Sequence, residues 1–153
     1  MTRPTGLQHA RTIGVGALVV ATVGAGMGVA TADASAASAK VHTQRFDSRT
    51  VQDYQLAGGN YVDFSRDVAH GKLIGSDSSS GRYHESTGVV TGYVTFFRNG
   101  GTLRARFRFD TRHSTTIYGT ITGGQGTYRG VTGTVTGQVV SDTVTRTTLT
   151  YRR

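Results

Sequence analysis

Residues 102–110, TLRARFRFD, alternate without a break. Successive side chains of an extended chain point to opposite faces, so Leu103, Ala105, Phe107 and Phe109 fall on one side and Arg104, Arg106, Arg108 and Asp110 on the other. A helix would scatter both sets around its circumference, so the stretch reads as a strand with one buried and one solvated face. RNGG (98–101) precedes it, and Asn-Gly accepts the positive φ angles of a tight turn, which predicts a hairpin with VVTGYVTFFR (89–98). That partner carries Val90, Val94 and Phe96 on one face and Val89, Tyr93 and Phe97 on the other. Such a strand is expected to meet the core on one side and another copy of the chain on the other.

The same grammar holds along the chain. From residue 40 onward no window sustains helical apolar spacing, and short runs of Thr, Val, Tyr, Phe and Ile are punctuated by Gly, Asn, Asp and Ser. Candidate strands fall at 41–47, 50–56, 60–67, 70–76, 89–98, 102–110, 115–122, 127–140 and 143–152, with two of the early ones readable as a single bent strand. Turns are expected at AGGN (57–60), SDSSSG (76–81), NGG (99–101) and TGGQG (122–126). About eight short antiparallel strands without helices imply a sandwich or a closed barrel.

Residues 1–39 read as a secretory signal peptide. Arg3 and Arg11 precede an apolar run, 13–30, and Ala-x-Ala tails follow at 34–36 and 37–39, so the mature chain is expected to start at Lys40 as one domain, 40–153. A retained membrane span is the alternative, weakened by five glycines and Thr22 within the run. Arg3, Arg11 and Asp33 lie before residue 40, which leaves 15 of the 17 cations against 8 of the 9 acids, a net charge of +7. That excess should attract anions: wall polymers, anionic metabolites or nucleic acid. No cysteine occurs anywhere, which excludes disulfides, thiol nucleophiles and thiolate metal sites. His42, His70, His84 and His113 lack metal-ligand spacing, so no metal and no cofactor is expected. The cation stripe Arg104, Arg106, Arg108, with Arg98 and Arg112 near its ends, has Phe107 and Phe109 on its opposite face. A stacking partner for bases is therefore missing from that strand, and nucleic-acid binding is not expected.

TGGQGTYRGVTG (122–133) holds the densest glycine run. It is not a phosphate loop, since no lysine follows Lys72, and a dinucleotide fingerprint fails at Arg129 with no helix to follow. Strands on both sides argue against a linker. Gly123, Gly124, Gly126, Tyr128, Gly130 and Gly133 do match the glycine signature of dirigent and allene oxide cyclase-like proteins, with Gln125 where the family usually has Thr. HGKLIGSD (70–77) and NGGTLRARF (99–107) are also similar to strands of that family. The resemblance implies an eight-stranded antiparallel barrel around an apolar cavity, commonly packed as a trimer, with the glycine run shaping its wall.

It further implies a cavity that holds a reactive, largely apolar molecule in one conformation and so guides cyclisation or coupling. Leu103, Ala105, Phe107 and Phe109 are the expected lining, with room left by Ala105, Gly133 and Gly137. Dirigent proteins place acids with arginine and tyrosine at the cavity, and Asp53, Tyr54, Asp63, Arg66, Asp67 and Tyr83 are counterparts by type, Asp53 and Tyr83 foremost. Glu85, the only glutamate, would be a general acid if buried and a solvated loop residue if not. The plant cyclase pattern needs a cavity proline and cysteine, absent after residue 39, so strict allene oxide cyclase activity is not expected. The other reading of the chain is a non-catalytic extracellular protein with a side-chain-filled barrel, whose basic face binds an anionic surface polymer.

Overall fold

The computed structural model describes residues 39–153; the expected export signal, 1–39, lies outside them apart from Ala39. Eight strands follow in chain order: β1 (Val41–Gln55), β2 (Asn60–Ala69), β3 (Lys72–His84), β4 (Val89–Arg98), β5 (Gly101–Asp110), β6 (Thr116–Gly126), β7 (Thr132–Ser141) and β8 (Val144–Arg152). Each pairs antiparallel with its chain neighbour, and β8 returns to β1 from Val41↔Arg152 to Arg49↔Val144. The sheet is a closed barrel. Closure pairs the hydrogen-bonding groups that a sheet edge would otherwise leave open. A single 3-10 turn, Ala57–Gly59, is the one helical element among the described residues.

The first two candidate strands are one, bent at a bulge between Thr50 and Gln52. Three boundaries differ from the sequence reading. TGGQG (122–126) is not a turn but the end of β6, where Gly124, Gln125 and Gly126 pair with Leu103, Thr102 and Gly101 on β5. SDSSSG is not a turn but the middle of β3, where Asp77 pairs with Ser65 on β2 and Phe96 on β4. The stretch from 127 becomes strand only at Thr132, because Thr127–Gly130 form a turn whose amides bond to the carbonyls of Gly100, Gln125 and Gly126.

Alternation sets the two faces as expected for the central hairpin. Leu103 and Ala105 are fully buried, Arg104, Arg106 and Arg108 exposed. On β4, Val94 and Phe96 point into the barrel, whereas Tyr93 and Phe97 stand exposed on the outside, the face expected to meet another copy. The apolar side chains do not fill the barrel evenly. Phe46, Leu103, Ala105, Ile121, Leu149 and Tyr151 pack the end that holds both chain termini of the domain, and Tyr128 from the glycine run lies edge-on to Tyr151 at 5.9 Å.

That plug explains the glycine run. Gly126 has φ +63°, and a Cβ there would meet the Gly100 carbonyl. Gly124 has no positive φ; its constraint is space, since a Cβ would come within 2.5 Å of the Tyr128 carbonyl and 2.6 Å of that of Thr102. Gly126→Val should therefore cost at least about 2 kcal/mol, from left-handed strain and the backbone clash together. Urea unfolding checks this; wild-type stability would show that the turn has slack.

Candidate functional site

The end of the barrel away from the plug is hollow. A cavity of about 460 Å³ opens between the β1–β2, β3–β4, β5–β6 and β7–β8 connections, within the usual range for small-molecule sites. Its two walls differ. From β4 to β7 it is lined by Val90, Val94, Phe96, Phe107, Phe109, Ile117 and Val135. From β1 to β3 it is lined by Ser48, Thr50, Asp53, Gln55, Tyr61, Asp63, Ser65, Asp77, Ser79 and Tyr83.

Local sequence creates the hollow by placing glycine opposite rings. Gly81 and Gly92 occupy inward positions next to Tyr61 and Phe107 in the register. A Cβ at Gly81 would come 2.9 Å from Tyr61 Cε1, and one at Gly92 would come 2.9 Å from Phe107 Cζ. The rings thus lie back against bare backbone instead of projecting across the lumen.

Beneath the polar wall lies a buried relay. Arg98 Nη1 is 2.6 Å from Asp67 Oδ2, with both side chains almost wholly out of solvent. The Ser48 hydroxyl donates to Asp67 Oδ1 (2.7 Å), and its oxygen is also 2.5 Å from Asp77 Oδ2. One hydroxyl proton cannot serve two carboxylates. Since Asp67 carries the charge that faces Arg98, the second contact requires a proton on Asp77, donated to Ser48 Oγ. Charge then balances: one cation, one carboxylate, one neutral acid. Burial, with the neighbouring Asp67, pushes the Asp77 carboxyl up to about 8. Asp77 and Ser48 face the cavity; Asp67 and Arg98 stand behind them.

The remaining polar groups extend this wall toward the mouth. Ser79 donates to Asp63 Oδ2 at 2.7 Å, yet burial still raises the Asp63 carboxyl above its ordinary value. Burial likewise raises the Tyr61 phenol to about 12, keeping it a neutral donor. Gln55 Nε2 donates to Asp53 at the exposed rim, 3.2 and 3.3 Å to its two oxygens. Asp53, Asp63 and Asp77 line the cavity, and among the described residues no Lys, Arg or His joins them, in a protein of net positive charge.

The residues singled out from sequence divide accordingly. Asp53 and Tyr83 line the mouth, and Phe107 and Phe109 line the apolar wall. Leu103 and Ala105 belong to the plug, not the lining, and Gly133 is packed against the Thr150 carbonyl; Gly137 does reach the cavity. Glu85 is exposed on the β3–β4 turn, where its carbonyl accepts from Arg112. Arg98 does not extend the outer cation stripe; it points inward to Asp67. Asp77 was hidden by a serine-rich stretch that looks like a loop, although Asp77, Ser79, Gly81 and Tyr83 follow the period of a strand.

A raised carboxyl gives stability an inverted pH dependence. The folded state holds the Asp77 proton more tightly than the unfolded chain, so this contribution is full below about pH 4 and is lost as pH rises toward 8. Stability should therefore fall between those limits, and Asp77→Asn should flatten the slope. Urea midpoints measured from pH 5 to 8.5 test both, and a slope retained in the variant would assign the proton elsewhere.

No family model matches the chain, and no curated protein is similar to it in sequence. Solved structures are. A pyocyanin demethylase superposes with a TM-score of 0.61 at 20% identity, over 72% of this chain and 99% of the other. A pterocarpan synthase dirigent protein gives 0.61 at 16% identity, over 76% and 89%. An exo-specific intermolecular Diels-Alderase gives 0.58 at 17% identity, over 75% and 97%. The fold of this chain is the eight-stranded barrel of dirigent and allene oxide cyclase-like proteins.

Proposed function

We propose that the barrel, working outside the cell, binds a small and largely apolar organic molecule in its hollow end and guides its cyclisation or coupling. One observation carries the reading: a cavity of about 460 Å³ with an aromatic and aliphatic wall facing a wall of acids, serines and tyrosines. The apolar wall supplies affinity and holds a flat ring system against Phe107 and Phe109, while the polar wall fixes its orientation. Restricting a reactive molecule to one conformer is enough to select one product, because the entropy of alignment is already spent on binding. Asp77 presents a neutral acid to the lumen and can share its proton with an oxygen or nitrogen on which charge develops. Asp63 and Asp53 are placed nearer the mouth as acceptors. Barrels of this shape serve a pyocyanin demethylase, a pterocarpan synthase dirigent protein and an exo-specific intermolecular Diels-Alderase.

Fluorescence titration with N-phenyl-1-naphthylamine tests the binding step, and native mass spectrometry of protein from its producer tests for a retained molecule. Saturable uptake of one probe per barrel is expected. A bare mass together with no uptake would overturn the reading.

A further inference from the structure

The outside of the barrel carries a second, different concavity. It runs across the strands from β2 to β7, over five interstrand spacings or roughly 24 Å. Its floor is the backbone of a row whose side chains point inward, including Gly81, Gly92 and Gly119. Two rows of outward side chains form its banks. On one, register places Ser80, Tyr93, Arg106 and Thr120 side by side. On the other it places Arg82, Thr91, Arg108 and Tyr118.

Strand-by-strand reading finds no stacking partner for these arginines, because Phe107 and Phe109 face inward. The sheet corrects this: tyrosines from the neighbouring strands share the arginines' face. Tyr93 and Tyr118 are 62% and 63% exposed, and no lining residue of the groove is acidic. Among the described residues, Arg82, Arg106 and Arg108 make no ion pair; the pairs present involve Arg98, His113 and Arg146.

We propose that this groove binds a linear acidic polysaccharide, its carboxylates held by Arg82, Arg106 and Arg108 and its sugar rings laid on Tyr93 and Tyr118. The groove is long and open-ended, which suits a polymer, whereas the lumen is a pit for a small molecule. Guanidinium forks pair with carboxylates in two-point contacts. Ser80, Thr91 and Thr120 offer both donors and acceptors to sugar hydroxyls. Single-stranded nucleic acid fits less well. The two tyrosines sit on opposite banks, two strand spacings across and two residues along, roughly 12 Å apart, wider than the step between successive bases. The site is independent of the lumen, and the variants that test it leave the lumen untouched; because it uses Tyr93, it takes the place of the contact with another copy that alternation led to expect on that face.

The test is affinity electrophoresis and calorimetry of the purified protein with polygalacturonate, its fully methyl-esterified form and poly(dT). Polygalacturonate should bind, weakening as salt rises, and the neutral ester should bind at least about tenfold more weakly, as should poly(dT). Arg106→Gln with Arg108→Gln should lower affinity at least about tenfold, and Tyr93→Ala with Tyr118→Ala by about fivefold or more. Both double variants should keep wild-type naphthylamine uptake and circular dichroism. Three results would overturn the proposal: no polygalacturonate binding by the unmodified protein, undiminished binding by the arginine variant, or poly(dT) bound as tightly with no effect of the tyrosines.

Discussion

Arg98→Met should destabilise the barrel by about 3–5 kcal/mol, because it strands the Asp67 carboxylate where no water reaches it. The ion pair is 2.6 Å long, and the side chains retain 3% and 0% of their exposure. Methionine is close to the arginine stem in volume and would still touch Phe46 and Phe96, whose rings lie 4.6 and 5.4 Å from the guanidinium carbon. The loss is therefore electrostatic rather than a packing defect. Among the described residues Nε and Nη2 of Arg98 have no hydrogen-bond partner, and the guanidinium is held by its one carboxylate, the carbonyls of Ser76 and Phe97, and those ring faces. One further result separates this account from general damage. Asp67→Asn added to Arg98→Met should recover much of the loss, since no charge is then left unpaired. Urea unfolding of the single and double variants measures both, and a loss below about 1 kcal/mol in the single variant would mean that water reaches Asp67.

The relay shows where sequence is readable and where it is not. TLRARFRFD assigns its own faces because an apolar side chain facing in and an arginine facing out is the cheapest arrangement. The Asn-Gly turn assigns its partner. Alternation fails as a guide where the interior is itself polar: Ser48, Asp67, Asp77 and Ser79 are buried, and each looks like surface when read alone. Their burial is affordable only because strands far apart in sequence bring donors to acceptors. Ser48 meets residues 19 and 29 positions away, and Arg98 meets one 31 positions away. Nothing local in SDSSSG announces those partners. Leu103 and Ala105, expected in the lining, belong to the plug for a related reason. Leu103 and Ala105 share the inward face with Phe107 and Phe109, and periodicity gives the face but not the depth along the barrel axis.

What an inward side chain faces decides the outcome of filling the barrel. Val94 is 9% exposed and lines the apolar wall of the cavity, level with Ala105 in the β4–β5 register but turned toward open space. Val94→Phe should abolish naphthylamine uptake while leaving the unfolding midpoint close to wild type, because the added ring enters a void of about 460 Å³ and can gain contacts there. Ala105 is fully buried within the plug, beside Ile121. Ala105→Phe finds no void and should overpack the core, at a cost of roughly 1–3 kcal/mol. The pair is informative because both changes introduce the same ring at paired positions on adjacent strands. A ligand-guiding barrel predicts loss of binding without loss of stability at residue 94, and loss of stability at residue 105. If Val94→Phe instead destabilises the protein as much as Ala105→Phe does, the hollow end is closed in solution and cannot be the site at which a small molecule is held.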